Sequence, residues 1–128
     1  MKIEHFAYQI EDPVAVAAWY VAHLGLVVKR SSGAPGYAHF MADSTGSVMV
    51  EIYNNRSVQT PQYSSLHPLL QHLAFCSDDP AADRDRLAAA GAMVVEDLAT
   101  SPVGDLLVML RDPWGFPIQL VKRANPML

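Results

Sequence analysis

His5-Phe6-Ala7-Tyr8-Gln9-Ile10-Glu11-Asp12-Pro13 recurs in the second half of the chain as His72-Leu73-Ala74-Phe75-Cys76-Ser77-Asp78-Asp79-Pro80. Histidine, alanine, aspartate and proline hold matching places in the two copies. Each copy alternates as a strand and then reaches Asp-Pro. The aspartate can accept from the free N–H groups of a first helical turn, and a proline at the first helical position lacks an N–H that has no partner there. The stretch therefore reads as a strand running into a helix, stated twice. A histidine at the same strand position in both copies predicts two modules that face each other, and it raises the question of a shared metal.

Working outward, a helix runs from Pro13 through Trp19, Tyr20 and Leu24 to Gly25, a residue suited to the left-handed position after a helix. Strands follow at about Leu26–Arg30, Tyr37–Ala42 and Ser47–Asn54, separated by Ser31-Ser32-Gly33-Ala34-Pro35-Gly36 and by Asp43-Ser44-Thr45-Gly46. The second copy gives a strand over Leu70–Cys76 and a helix from Pro80 to Gly91. Strands at about Met93–Leu98, Asp105–Arg111 and Phe116–Lys122 complete it, with Asp112-Pro113-Trp114-Gly115 as the last turn. The expectation is an α+β fold, a single domain over 1–128 made of two β-α-β-β-β modules that form an incomplete barrel. Module one covers about 1–54, module two about 69–123, and the polar, non-periodic stretch 55–68 is a linker or a loop over a site.

The composition limits the function classes. With 51% hydrophobic and 17% charged residues, the 128-residue chain is rich enough in apolar side chains to bury a core. A net charge of -4 and the lack of a basic arm give no electrostatic reason to expect nucleic acid or an anionic membrane as partner. The most apolar run, 14–22, is shorter than the ~20 residues of a membrane span. The start has no signal-peptide pattern, so a cytoplasmic protein is expected. Cys76 is the sole cysteine, which excludes a disulfide scaffold and a cysteine zinc cluster; it reads as a small core residue rather than a nucleophile.

Strand alternation then sorts the polar residues. Phe6, Tyr8 and Ile10 share one face; so do Val48, Val50 and Ile52, then Leu73 and Phe75, then Ile118 and Leu120. These faces call for helices. The opposite faces carry His5, Glu51, His72 and Gln119, beside the small residues Ala7, Ala74 and Cys76. Inward polar groups are costly unless paired, hydrated or ligated. Two imidazoles, a carboxylate and an amide oxygen are ligand types of a divalent transition-metal site. Hydrogen-bonded core pairs or a dry ligand cleft are the other readings of the same residues. Tyr53 and Met49 share Glu51's face and are candidates for substrate binding, as is His39 on its alternating strand. His23 reads as a complement to the helix dipole, His67 as exposed, and Arg30 and Arg111 as solvated strand-end residues.

Over nearly its whole length the chain resembles the vicinal oxygen chelate superfamily. That superfamily includes glyoxalase I, methylmalonyl-CoA epimerase, extradiol dioxygenases, fosfomycin-resistance transferases and bleomycin-resistance proteins. The resemblance rests on the duplicated β-α-β-β-β order, on Trp19-Tyr20…His23-Leu24-Gly25-Leu26, and on Arg111-Asp112-Pro113-Trp114-Gly115 before the final strand. It implies that His5, Glu51, His72 and Gln119 bind a divalent metal ion (Fe, Mn, Ni, Co or Zn) acting as a Lewis acid toward neighbouring substrate oxygens, with Glu51 as the carboxylate base. Glyoxalase I usually has a glutamate where this chain has Gln119. An amide cannot accept a proton near neutral pH, so the resemblance points away from glyoxalase I proper. Exchanging the modules turns His, Glu, His, Gln into His, Gln, His, Glu, a set similar to that of the epimerases. The implied function is a metal-dependent isomerase or epimerase, lyase or dioxygenase acting on a small oxygenated molecule. The alternative is a metal-free, drug-sequestering protein of the bleomycin-resistance type. A homodimer is expected, with modules pairing within a chain or across it.

Overall fold

The computed structural model describes residues 1–127. The chain divides into two compact units, Met1–Pro61 and the residues from Gln62 onward. In the first unit, β1 (His5–Gln9), α1 (Pro13–Leu24), β2 (Val27–Ser31), β3 (His39–Ala42) and β4 (Met49–Tyr53) follow in order. The second unit holds β5 (Leu73–Cys76), α2 (Pro80–Ala89), β6 (Met93–Thr100), β7 (Leu106–Arg111) and β8 (Pro117–Lys122), preceded by 3-10 turns at Tyr63–Ser65 and Pro68–Leu70. The α+β class and the repeated β-α-β-β-β order are those read from the sequence.

Both helices start as their Asp-Pro pairs dictate. Asp12 accepts from Ala15 N–H at 3.0 Å and Asp79 from Ala82 N–H at 3.1 Å, each with proline in the first turn. Gly25 ends α1 at φ 71°, where a side chain would be strained. The sheets share one topology, β1-β4-β3-β2 and β5-β8-β7-β6. The first and last strands of each unit pair in parallel, and the remaining neighbours are antiparallel. The parallel pair follows from the helical crossover between a unit's first strand and its later ones.

In the first unit the apolar face of β1, β3 and β4 supplies Tyr8, Ile10, Met41 and Ile52, which are buried together with Val16 and Tyr20 of α1. The Tyr8 and Tyr20 hydroxyls meet at 2.7 Å. In the second, Val108, Leu110, Ile118 and Leu120 are buried, as is Leu87 of α2. Every residue of the edge strands β2 and β6 is exposed. Their charged residues, Lys29, Arg30, Glu96 and Asp97, discourage edge-to-edge pairing. Among the described residues no helix is long and apolar enough to cross a membrane.

Three local expectations change. Strand β5 begins at Leu73 rather than Leu70, because Pro68 opens a 3-10 turn instead of continuing an extended run. Cys76 is exposed, not in the core: β5 is an edge strand, and alternation turns Cys76 away from the face that carries Leu73 and Phe75. Arg111 is buried rather than solvated, at 6% exposure. Its Nη1 donates to the carbonyls of Tyr63 (2.7 Å) and Gly115 (2.9 Å), and its Nη2 to Leu66 O (2.6 Å). The guanidinium thereby fastens the 63–66 segment to the β7–β8 turn. That turn is itself held by Asp112 Oδ1, which accepts from Trp114 N–H at 3.0 Å and Phe116 N–H at 2.8 Å. Gly115 lies at φ 91°, and an added Cβ would stand 2.9 Å from Ser64 N. The turn glycine is thus required both by its own backbone and by the segment packed on it.

Arg111→Met keeps the apolar stem and takes the donor from the Gly115 and Leu66 carbonyls, while the Tyr63 carbonyl keeps the Leu66 N–H. Urea denaturation is expected to show a loss of about 3 kcal/mol, from the cost of buried acceptors without donors. Limited proteolysis should cut faster within residues 62–67 of the variant than of the parent.

Candidate functional site

Register decides which side chains share a surface. Paired residues in a sheet project to the same side, and His5 pairs with Met49, Ala7 with Glu51 and Gln9 with Tyr53. Across β4, Phe40 pairs with Glu51. His5, Glu51, Met49, Tyr53 and Phe40 therefore lie on one face, opposite the one that α1 covers. Met49 and Tyr53 are on Glu51's face, where alternation puts them. His39 is not. It pairs with Ile52 and so joins the side of Met41 and Ile52. That is the parity it shares with Met41 in the sequence; the strand itself starts only at His39, since Tyr37 before it takes a left-handed φ of 48°.

His5 and Glu51 meet on this face. His5 Nε2 lies 3.3 Å from Glu51 Oε2, and the other ring nitrogen, Nδ1, is hydrogen-bonded to the Glu4 carboxylate. Glu51 is the less exposed partner, with a side chain 19% accessible against 35% for His5. The ring of Phe40 stands edge-on to the His5 imidazole at 5.6 Å, and the Arg30 guanidinium lies 5.9 Å from the Phe40 centroid. A bulge between Val28 and Arg30 brings Arg30, rather than Lys29, opposite Phe40. Neither Glu4 nor this Arg30–Phe40–His5 row was anticipated. Glu4 precedes the strand, and a bulge leaves no mark in the alternation pattern.

In the second unit, Ala74 and Met109 both pair with Gln119, and His72 directly precedes β5 on the side of Ala74. His72 and Gln119 are both half-buried. His72 Nδ1 contacts the Pro68 carbonyl at 3.2 Å. As the N–H donor there, it leaves Nε2 as the ring's lone-pair nitrogen. The proline that shortens the strand thus supplies the carbonyl that orients this histidine. Among the described residues no three His, Cys, Asp or Glu side chains gather into a metal-holding cluster.

The His5–Glu51 pair can be tested against a divalent ion. Two donors each ~2.1 Å from one ion, at octahedral to tetrahedral angles, lie roughly 3.0–3.4 Å apart. The 3.3 Å separation falls in that window. In both histidines Nδ1 is engaged by an oxygen, the outer-shell arrangement that fixes the ring and offers Nε2 to a metal. The His5–Glu51 pair would thus fit two ligand positions of such an ion.

The hydrogen bond to Glu4 raises the His5 pKa above its ordinary 6.5; desolvation opposes the shift, and the charges of Glu4 and Glu51 add to it. A raised folded-state pKa contributes stability that is complete below the unfolded value and lost as pH rises through the folded one. An NMR titration of the His5 ring should give a midpoint above 6.5, with Glu4→Gln lowering it more than Glu51→Gln. The reverse order would contradict the assignment of Glu4 as the main partner.

The family model described as the Glyoxalase/Bleomycin resistance protein/Dioxygenase superfamily matches residues 2–120. No curated protein matches the chain in sequence. Among solved structures, SMU.1112c is 27% identical with a TM-score of 0.75, over 95% of this chain and 98% of that one. TnmS3, an antibiotic binding protein from Streptomyces sp. CB03234, is 22% identical with a TM-score of 0.71, over 94% of this chain and 93% of its own. Glyoxalase I from Zea mays is 18% identical with a TM-score of 0.76; 97% of this chain is covered, but only 45% of that enzyme. The last two likenesses concern the fold. With the duplicated modules and a family match over nearly all of its length, the chain belongs to the Glyoxalase/Bleomycin resistance protein/Dioxygenase superfamily.

Proposed function

We propose that this protein is a divalent-metal-dependent enzyme acting on a small oxygenated molecule, as an isomerase or epimerase, lyase or dioxygenase, with His5, Glu51, His72 and Gln119 as the ligand set. The observation that carries the reading is the His5–Glu51 pair: Nε2 and Oε2 stand 3.3 Å apart, and the far side of the ring is held by Glu4. His72, with Nδ1 on the Pro68 carbonyl, presents the same nitrogen from the second unit. A cation bound by these groups would supply Lewis acidity toward adjacent substrate oxygens. Glu51, as the set's one carboxylate, is the group that can take and return a substrate proton. Gln119 can offer its amide oxygen as a ligand or its N–H₂ as a donor, but it cannot serve as a second base. Met49 and Tyr53 flank Glu51 on its strand and would bound the substrate beside it. A homodimer is part of this reading, since the two pairs can be brought to one ion within a chain or between copies.

The second reading, a metal-free protein that sequesters a small molecule, is favoured by one comparison. The antibiotic binding protein TnmS3 is matched over 93% of its length, whereas the chain spans under half of glyoxalase I. A sequestering protein has no use for a histidine–carboxylate pair at ligand spacing, so the enzyme reading stands first.

Metal analysis of protein purified without a histidine tag decides between them. The parent should hold stoichiometric divalent metal after purification or reconstitution. Glu51→Ala should weaken its affinity by at least about 100-fold, since removing outer-shell partners alone costs up to that factor. A parent that cannot be loaded removes the enzyme reading and leaves sequestration. On loaded protein, turnover of a glutathione hemithioacetal should stay near background; strong turnover would overturn the inference drawn from Gln119.

A further inference from the structure

Beyond β4 the chain leaves the Glu51 face through Asn54-Asn55-Arg56-Ser57 and runs beside the β2–β3 loop at Pro35 and Gly36. Together with Tyr53, these residues line a cavity of about 390 Å3. A second cavity of about 230 Å3 adjoins it and shares Pro35, Asn54 and Arg56, adding Tyr37, Glu11 and the start of α1. Arg56 belongs to both. In the larger one it is the only charged lining residue.

The loop that carries Arg56 is fixed. Gln9, itself 7% exposed, donates from Nε2 to Val58 O and to Thr60 Oγ1 (3.1 Å) and accepts from Asn55 N–H at 3.2 Å. Asn54 N–H donates to Gly36 O at 2.8 Å and its side-chain amide to Glu11 O at 2.9 Å. Asn55 Oδ1 accepts from Ser57 N–H and from its hydroxyl at 3.0 and 2.7 Å. Every polar side chain from Asn54 to Ser57 is thus used internally except one. Among the described residues the exposed Arg56 guanidinium has neither a hydrogen bond nor an ion pair, and neither Glu11 nor Asp12 pairs with it although all three line the smaller cavity.

A second observation points the same way. Tyr37, in the smaller cavity's wall, holds a left-handed φ of 48°, which costs a non-glycine residue roughly 1–2 kcal/mol. Its N–H donates to Gly33 O at 3.1 Å, and its carbonyl contacts His39 Nδ1 at 2.7 Å. Strain that the surroundings enforce in this way clusters at ligand sites. Here it sets a phenol ring and Pro35 beside a guanidinium with no partner of its own.

We propose that Arg56 reads the anionic group of a small molecule whose flat apolar body lies against Pro35 and Tyr53, a carboxylate, phosphate or sulfonate being the group a planar guanidinium fits. Because Tyr53 follows Glu51 at the same strand parity, about 7 Å further along, one ligand can reach from the cavity to the His5–Glu51 face. That link rests on the function proposed above; the anion site does not.

The probe is 1-anilinonaphthalene-8-sulfonate, titrated by fluorescence into the full chain in EDTA, beside the uncharged N-phenyl-1-naphthylamine. Arg56→Ala should weaken sulfonate binding about tenfold or more, by loss of a charge-assisted contact, and leave the neutral probe's affinity unchanged. Arg56→Lys should fall between. Amide shifts on sulfonate binding should centre on residues 35–37 and 53–57, and Glu51→Ala should bind the probe as the parent does. The proposal is overturned by sulfonate binding that does not saturate or that ignores Arg56→Ala. Equal weakening of both probes, or shifts centred elsewhere, would overturn it as well. Loss of metal in Glu51→Ala with sulfonate binding intact separates this site from the metal reading.

Discussion

Each unit depends on the parallel pairing of its first strand with its last. Parallel strands need a long crossover connection; here it includes a helix, which buries one face of the pair. Once Tyr8, Ile10 and Ile52 are committed to α1, the two-residue period leaves His5, Ala7 and Glu51 no choice of side. The polar pair is therefore a consequence of core formation, not a separate feature added to it. A one-residue slip of β1 against β4 would turn Tyr8 and Ile10 to the opposite face and part His5 from Glu51. Stability and the candidate chemistry are coupled through one register.

The two units meet a shared problem, securing irregular chain beside the sheet, with different side chains. In the first, the buried amide of Gln9 spans the 55–60 loop through both its oxygen and its nitrogen. In the second, Arg111 satisfies three carbonyls of the 63–66 segment and the last turn. An amide both donates and accepts and can tie a loop by its N–H and C=O groups alike. A guanidinium only donates, so it suits a segment that turns its carbonyls inward. Both residues read as ordinary polar positions in the sequence because, the Thr60 hydroxyl apart, the partners named here are backbone atoms, which carry no residue identity.

Much of the fold was legible for a physical reason. Asp-Pro signals act within a few residues, Gly25 and Gly115 answer to local dihedrals, and alternation needs only the strand itself. Those signals place both helices, all eight strands and the shared face of His5, Met49, Glu51 and Tyr53. Misreadings arose wherever a distant segment intervened. Cys76 is exposed because β5 ends up on an edge. Arg30 reaches Phe40 through a bulge.

The opening repeat and its partners thus divide cleanly. By itself the sequence determined the order of elements, the helix starts and the parity of the strand residues, since each is set by covalent neighbours and a fixed backbone period. Only the tertiary structure decided that Glu4 and Pro68 orient the two histidines, that Arg111 is an internal clamp, and that Arg56 has neither hydrogen bond nor ion pair among the described residues. Whether the groups are neighbours, as Glu4 and His5 are, or lie tens of residues apart, as Arg111 and Tyr63 do, distance and direction, not residue type, determine whether a contact forms.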